Sequence, residues 1–281
     1  AALPKIVYLN SSAEYWRGDA SLGHIGVDGR DDVTLPDYVR NYLMAGTQHT
    51  PGVLPLRGAA PDGGRGQHPL NSVDYAPLLR AALVNLDRWV SRNEAPPPSR
   101  YPRLADGTAV PAPNLAPVFQ AIPGAVFPSQ HFQPHRLDFG PDWSQGVMSW
   151  LPPKVGAPYV TFVPAVDQDG NEVAGIRLPD LSVPLATYCG WNPRHPDQGA
   201  PEQSLRMLGS TLPFPSTPAV RQRSGDSRLS VDERYASREE YLEQVKKAAE
   251  ALIAERFLLP ADLEAIVRRA AWRYDLFMGQ S

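Results

Sequence analysis

A single cysteine, Cys189, is all the thiol chemistry in a chain of 281 residues. One thiol makes neither an internal disulfide nor a cysteine zinc cluster. Its neighbours, Ala186-Thr187-Tyr188 before and Gly190-Trp191 after, bring no base. Cys189 therefore reads as a small core residue rather than a catalytic thiol. Basic charge is also in short supply: the formal net charge is −3, and no run of like charge stands out. That excludes nucleic acid as an expected partner. No apolar stretch is long enough to cross a bilayer, which predicts a soluble protein with no membrane partner. The sequence leaves the compartment open: cytoplasm, periplasm or secretion. There is no internal repeat. The first residue, Ala1, is neither methionine nor part of a charged leader, so the expectation is a processed or cropped chain whose targeting signal has gone.

Proline is what the chain has in plenty. Its 31 prolines are about twice ordinary usage. They concentrate at Pro96 to Pro98, Pro111 to Pro134, Pro152 to Pro164 and Pro213 to Pro218. Proline fixes φ and removes an amide donor, so these stretches are expected as ordered extended coil. Interleaved aromatics argue against disorder. Lys5 to Leu9 lacks clean alternation, which suits a strand buried on both faces of a parallel sheet. Ser11 or Ser12 can cap a helix over Ala13 to Leu22. Tyr38 to Met44 reads as a second strand, parallel to the first. A helix is expected from Ser72 to Arg92, with Leu79, Leu83, Leu86 and Val90 as its apolar stripe, widened by Leu78, Ala82 and Trp89. Hairpins are expected around Asp106-Gly107 and Asp169-Gly170, the second flanked by Val160 to Val166 and Val173 to Leu178. Ser237 to Glu240 is a capping box that opens one terminal helix, and Pro260 starts the last.

Chemistry is suggested near the start of the chain. Glu14 follows the first strand, Asp19 lies a little beyond, and His49 sits in Gly46-Thr47-Gln48-His49 after the second strand. Functional groups of open parallel sheets gather at the carboxyl ends of strands. Acid and then histidine is the order found after the nucleophile in α/β-hydrolases. The acid fixes the imidazole tautomer and the imidazole takes the serine proton. The bland alternative is a histidine bonded to a loop carbonyl and a glutamate on a solvated helix face.

Three stretches resemble the bacterial family of alpha/beta hydrolase domain proteins, large esterase-like serine hydrolases. They are Pro4-Lys5-Ile6 through Asn10-Ser11-Ser12-Ala13-Glu14-Tyr15-Trp16-Arg17-Gly18-Asp19-Ala20-Ser21-Leu22, then Ala45-Gly46-Thr47-Gln48-His49, and Val163 to Asp167 with Gly175 to Pro179. Leu185 to Tyr188, Gly190 to Asn192 and Ala95 to Pro102 fit as well. The resemblance implies an α/β fold, specifically the C-terminal part of an α/β-hydrolase: its last parallel strands and helices, a Pro-rich irregular middle and C-terminal helices. Residues 1–95 would end the core and carry acid and histidine. Residues 96–230 would form a loop and hairpin region able to wall a pocket, and residues 231–281 the terminal helices. His49 is implied as catalytic base, Glu14 as the acid and Asp19 as the reserve acid.

The departure from the family is the missing nucleophile. No serine sits in a G-x-S-x-G elbow; Ser144 and Ser210 come nearest, and neither follows a strand and opens a helix. The expected function is therefore hydrolysis of carboxylic esters with a serine supplied by an N-terminal portion of the same hydrolase, this chain being inactive by itself. The alternative is a non-catalytic binding or assembly module derived from a hydrolase. Without its earlier neighbours, strand Lys5 to Leu9 would expose a pairing edge to that portion. Trp143, Trp150, Tyr188 and Trp191 are candidates to contact the ester or, failing that, core under loops. No cofactor is expected. Nor is a metal: His131 and His135 are separated by Pro134, and Asp167-Gln168-Asp169-Gly170-Asn171-Glu172 has its glycine misplaced for a calcium loop. His24, His68 and His195 read as isolated loop residues.

Overall fold

The computed structural model describes residues 3–279; Ala1, on which the expectation of a cropped start rests, lies outside them. The β-branched run at the start forms strand β1, Ile6–Ser11, and the chain passes at once into helix α1, Ser12–Trp16. Strand β2, Val39–Met44, pairs parallel with β1, in a register from Ile6 opposite Val39 to Ser11 opposite Met44. The expected helix over Ala13 to Leu22 is interrupted. Gly18 has φ +89°, and a Cβ there would come within 2.8 Å of the Phe132 carbonyl oxygen. The chain turns at Gly18 because only glycine fits that conformation and that close approach. A 3-10 turn over Ala20–Gly23 follows.

β2 is paired on both sides and β1, among the described residues, on one. Beyond β2, the Leu43 amide donates to the Arg100 carbonyl at 2.8 Å, and Ile176 donates to the Leu43 carbonyl at 2.7 Å. Helix α2, Ala76–Arg92, begins later than expected. Asn71 Oδ1 accepts from the Val73 amide at 2.9 Å and Asp74 Oδ1 from Ala76 at 3.0 Å. Such local bonds compete with helix and hold the preceding stretch in turns. Its buried face also differs from the expectation. Pro77, Leu78, Ala81, Asn85 and Trp89 are buried, whereas Leu79, Leu83 and Val90 are exposed and Leu86 is half-buried. The helix carries two apolar stripes, and the one bearing Trp89 docks beneath the Lys5 and Arg40 cations.

The proline-rich middle is a set of short pieces: β3 (Ala109–Val110), α3 (Ala116–Gln120), β4 (His135–Asp138), β5 (Lys154–Pro158), β6 (Val163–Pro164), α4 (Pro179–Ser182), β7 (Ala186–Cys189) and β8 (Ser210–Pro213). β3 pairs with β6, β4 with β5 and β7 with β8, all antiparallel. Proline cannot donate to a ladder, which keeps these strands short. The Asp106-Gly107 turn exists but closes no hairpin, since β3 takes its partner from far along the chain. The Asp169-Gly170 turn joins Val166 to Glu172 in an antiparallel bridge, after which the chain leaves to lie along β2 at Ile176. Short helices α5 (Pro218–Ser224) and α6 (Val231–Arg234) lead to α7 (Arg238–Ala254) and α8 (Leu263–Met278), which pack together. Ser237 Oγ caps α7 by accepting from the Glu240 amide at 3.1 Å.

The result is a mixed α/β architecture built from small sheets. Its main hydrophobic cluster draws on Tyr15, Leu43, Leu78, Leu181, Tyr188, Val245 and Phe277, so it runs from the first helix to the last. A second cluster gathers Trp16, Phe119, Val163, Trp191 and Leu212. Among the described residues no helix is long and apolar enough to cross a membrane.

Candidate active site

Both strands of the parallel pair end in the same place, and each delivers one functional side chain. Glu14 is the third residue of α1 and closes a capping box. The Ser11 amide donates to Glu14 Oε2 at 2.6 Å and Ser11 Oγ donates to the same oxygen at 2.5 Å. That leaves Oε1, which lies 2.5 Å from His49 Nδ1. One carboxylate thus caps the helix with one oxygen and holds the imidazole with the other. An ionised carboxylate only accepts, so His49 Nδ1 carries the shared proton and Nε2 of the neutral ring keeps a free lone pair. Glu14 is largely covered, at 14% side-chain exposure, while His49 is open at 49%. The acid is sheltered and the ring stays accessible.

The loop after β2 is fixed along its length. The His49 amide donates to the Met207 carbonyl at 3.1 Å, and the Tyr75 hydroxyl donates to the His49 carbonyl. Burial, followed by the nearby Glu14 and Asp74 charges, pushes the Tyr75 phenol up to about 12. It therefore stays protonated as a donor. Thr47 Oγ1 donates to the Met44 carbonyl at 2.7 Å, and Gln48 Oε1 accepts from the Gly209 amide at 3.1 Å. The Ala13 amide reaches across to the Thr47 carbonyl at 3.2 Å, tying α1 to the histidine loop. The pair opens into a hollow of about 260 Å³ lined by Leu9, Ser11, Glu14, Arg17, Met44, His49, Tyr75 and Leu79.

The other candidates sit elsewhere. Asp19 forms an ion pair with Arg17, at 44% side-chain exposure, and does not reach His49. Ser144 is in an exposed 3-10 turn. Ser210 is fully buried in β8 and donates to the Trp191 carbonyl at 2.7 Å. Among the described residues no hydroxyl is bonded to the His49 ring. Trp143 is exposed and stacked on Phe139, and Trp150 lies under the Lys154 ammonium. Tyr188 is fully buried in the main cluster. Trp191 is buried against Trp16, Phe119 and Phe127. None of these four aromatics lines the hollow. Cys189 is buried, and that burial raises its thiol well above the ordinary range. His24 is buried too, and desolvation lowers it to about 4. Among the described residues no cluster of three or more His, Cys, Asp or Glu side chains could hold a metal.

Ser11 is a cap, as expected, but its link to Glu14 was not foreseen although Ser11-x-x-Glu14 is a capping-box spacing. The roles of Tyr75 and Glu172 had no signal in the sequence, because each reaches the site through tertiary contact.

A family model described as Alpha/beta hydrolase domain matches residues 4–268. No curated protein and no solved structure matches the chain.

Proposed function

The chain belongs to the alpha/beta hydrolase domain family, and we propose that it supplies the acid and the histidine of a serine carboxylic ester hydrolase whose nucleophile lies on an N-terminal portion of the same enzyme. The observation that carries this reading is the 2.5 Å contact of Glu14 Oε1 with His49 Nδ1, at the carboxyl ends of two parallel strands, with the ring half open to the hollow. In the proposed reaction His49 Nε2 takes the proton of the incoming serine as its oxygen attacks the ester carbonyl. Glu14 stabilises the imidazolium that forms, and His49 then returns the proton to the departing alcohol. Water, deprotonated by the same nitrogen, releases the acid from the acyl-enzyme.

Two surfaces support a separate source for the serine. Among the described residues β1 is unpaired along one edge, with Tyr8 half-exposed beside it. The outward stripe of α2, Leu79, Leu83 and Val90, is exposed, and Leu79 belongs to the hollow at His49. An open strand edge beside an apolar helix face invites a neighbouring strand and its packing. The occupant we assign is the N-terminal portion carrying the nucleophile elbow.

That no serine among the described residues is bonded to His49 favours a second reading, a hydrolase-derived assembly module. A fluorophosphonate probe separates them. The chain alone is expected to show no adduct by intact mass. Addition of the N-terminal portion is expected to give one serine adduct and ester turnover that falls by about 10⁴-fold or more in His49→Ala. An adduct on the chain alone, or turnover indifferent to His49→Ala, overturns the first reading.

A further inference from the structure

We infer that Glu172 is a positioning residue for the Glu14–His49 pair, fastening together the two segments that carry it. The inference rests on reading that pair as catalytic. Glu172 comes from neither segment; it follows the Asp169-Gly170 turn. Its Oε1 accepts from Ser12 Oγ, and its Oε2 accepts from the Gly46 amide at 2.7 Å. Ser12 opens the helix that bears Glu14, and Gly46 opens the loop that bears His49. One carboxyl therefore bridges the acid-bearing and base-bearing segments just behind the functional side chains.

Gly46 is gripped at its carbonyl as well. Asn71 Nδ2 donates to the Gly46 carbonyl at 2.7 Å and to the Cys189 carbonyl at 3.0 Å. Gly46 itself is left-handed, with φ +62°, and a Cβ there would meet Leu181 at 2.6 Å. Only glycine makes that turn at that distance, so the direction of the histidine loop is set at Gly46. Glu172 holds the amide donor of Gly46 and Asn71 its carbonyl, so the peptide groups on both sides of that residue are fixed.

A side chain that merely filled space would not be a carboxyl. Glu172 is 2% exposed, and among the described residues its bonding partners are Ser12 and Gly46, with no arginine, lysine or histidine beside it. A buried acid without a cation is costly unless its oxygens are fully used. Here both are used, and both partners are donors. Burial pushes the group up to about 7, against the opposing pull of the Ser12 and Gly46 bonds. The bridge survives protonation. The carbonyl oxygen keeps the Gly46 amide while the acid hydroxyl donates to Ser12 Oγ. Glutamine reproduces that form, whereas alanine removes both contacts and aspartate is too short to span them.

The test is the tautomer of His49 in this chain, read from ring-nitrogen NMR shifts after ¹⁵N-histidine labelling, with His49→Ala to assign the signals. The wild type is expected to show His49 with its proton on Nδ1. Glu172→Ala is expected to lose that preference and Glu172→Gln to restore it. Should Glu172→Ala fail to fold, Glu172→Asp is expected to show the loss. A folded Ala or Asp variant with the wild-type His49 spectrum overturns the inference. So does a Gln variant that fails to restore it, or a wild-type ring protonated on Nε2. The spectrum needs neither nucleophile nor ester. If the complete enzyme turns over without His49, the catalytic reading falls, and the spectrum still decides what Glu172 fastens.

Discussion

Two carboxylates compete for one histidine within the first twenty residues, and their neighbours separate them. Glu14 is held at the Ser11 cap and faces His49, whereas Asp19 is spent on Arg17. In the sequence Glu14 was preferred only for lying closer to the strand end; the Ser11 capping box, which fixes its carboxylate, is what the fold adds. Glu14→Gln in the complete enzyme is expected to lower kcat by about 10⁴-fold, because an amide favours the wrong imidazole tautomer. Asp19→Asn is expected to leave kcat within a few-fold; equal losses would refute the assignment of Glu14. Glu172 was visible only as part of an acidic turn, since nothing in a sequence tells which carboxylate the fold will bury. Its pKa gives a second prediction. The group is raised from 4.5 to about 7 by burial. The folded state therefore keeps the proton that the unfolded state releases in between. The stability this contributes is full below pH 4.5 and lost as pH rises through 7. Replacing Glu172 by glutamine removes that titration. The melting temperature of the wild type relative to Glu172→Gln is expected to fall between those limits, and a constant difference would mean Glu172 stays ionised throughout.

At the level of elements, periodicity located α2 but centred its buried face on the wrong stripe: Leu78 and Trp89, expected only to widen it, are buried, and Leu79, Leu83 and Val90 are exposed. Both stripes of that helix are apolar, and the hydrophobic pattern cannot rank two faces that are each fit for burial. The structure buries the Trp89 side and leaves Leu83 at 68% exposure and Val90 at 67%. Under the assignment of an N-terminal partner, the sequence pattern was reading a surface covered in the complete enzyme. Leu83→Lys is expected to leave the melting temperature of this chain unchanged, since Leu83 packs on little here. The same change is expected to weaken association with the N-terminal portion at least tenfold by titration calorimetry, because it puts a charge into an apolar contact. Undiminished association would move the partner off this face. The parallel strands were legible because the β-rich runs are short and turn residues bound them. The middle strands were not, because β3 and β6 meet across the proline-rich region through tertiary pairing alone.

Across the whole molecule, the terminal helices had legible starts, at Ser237 and Pro260, but no legible destination. Their docking depends on Arg273, which is 2% exposed and paired with Asp180 of α4. It also lies 5.9 Å from the centre of the Tyr188 ring. An arginine on a helix otherwise rich in charge reads as solvated face, so its burial could be seen only after the fold closed. The pair reaches the site region through its neighbour, because Leu181 follows Asp180 and packs against Gly46 at the root of the histidine loop. Removing one member strands the other in the core. Arg273→Ala is therefore expected to cost about 3–5 kcal/mol in urea unfolding. Arg268→Ala, one turn away, removes only an exposed contact with Glu264, worth about 0.5 kcal/mol or less. The contrast tests whether α8 is held by this buried pair or by its apolar stripe. If the two variants unfold at the same urea concentration, the apolar stripe holds the helix. A loss confined to Arg273→Ala places the anchor at Asp180, directly beside the residue that supports Gly46.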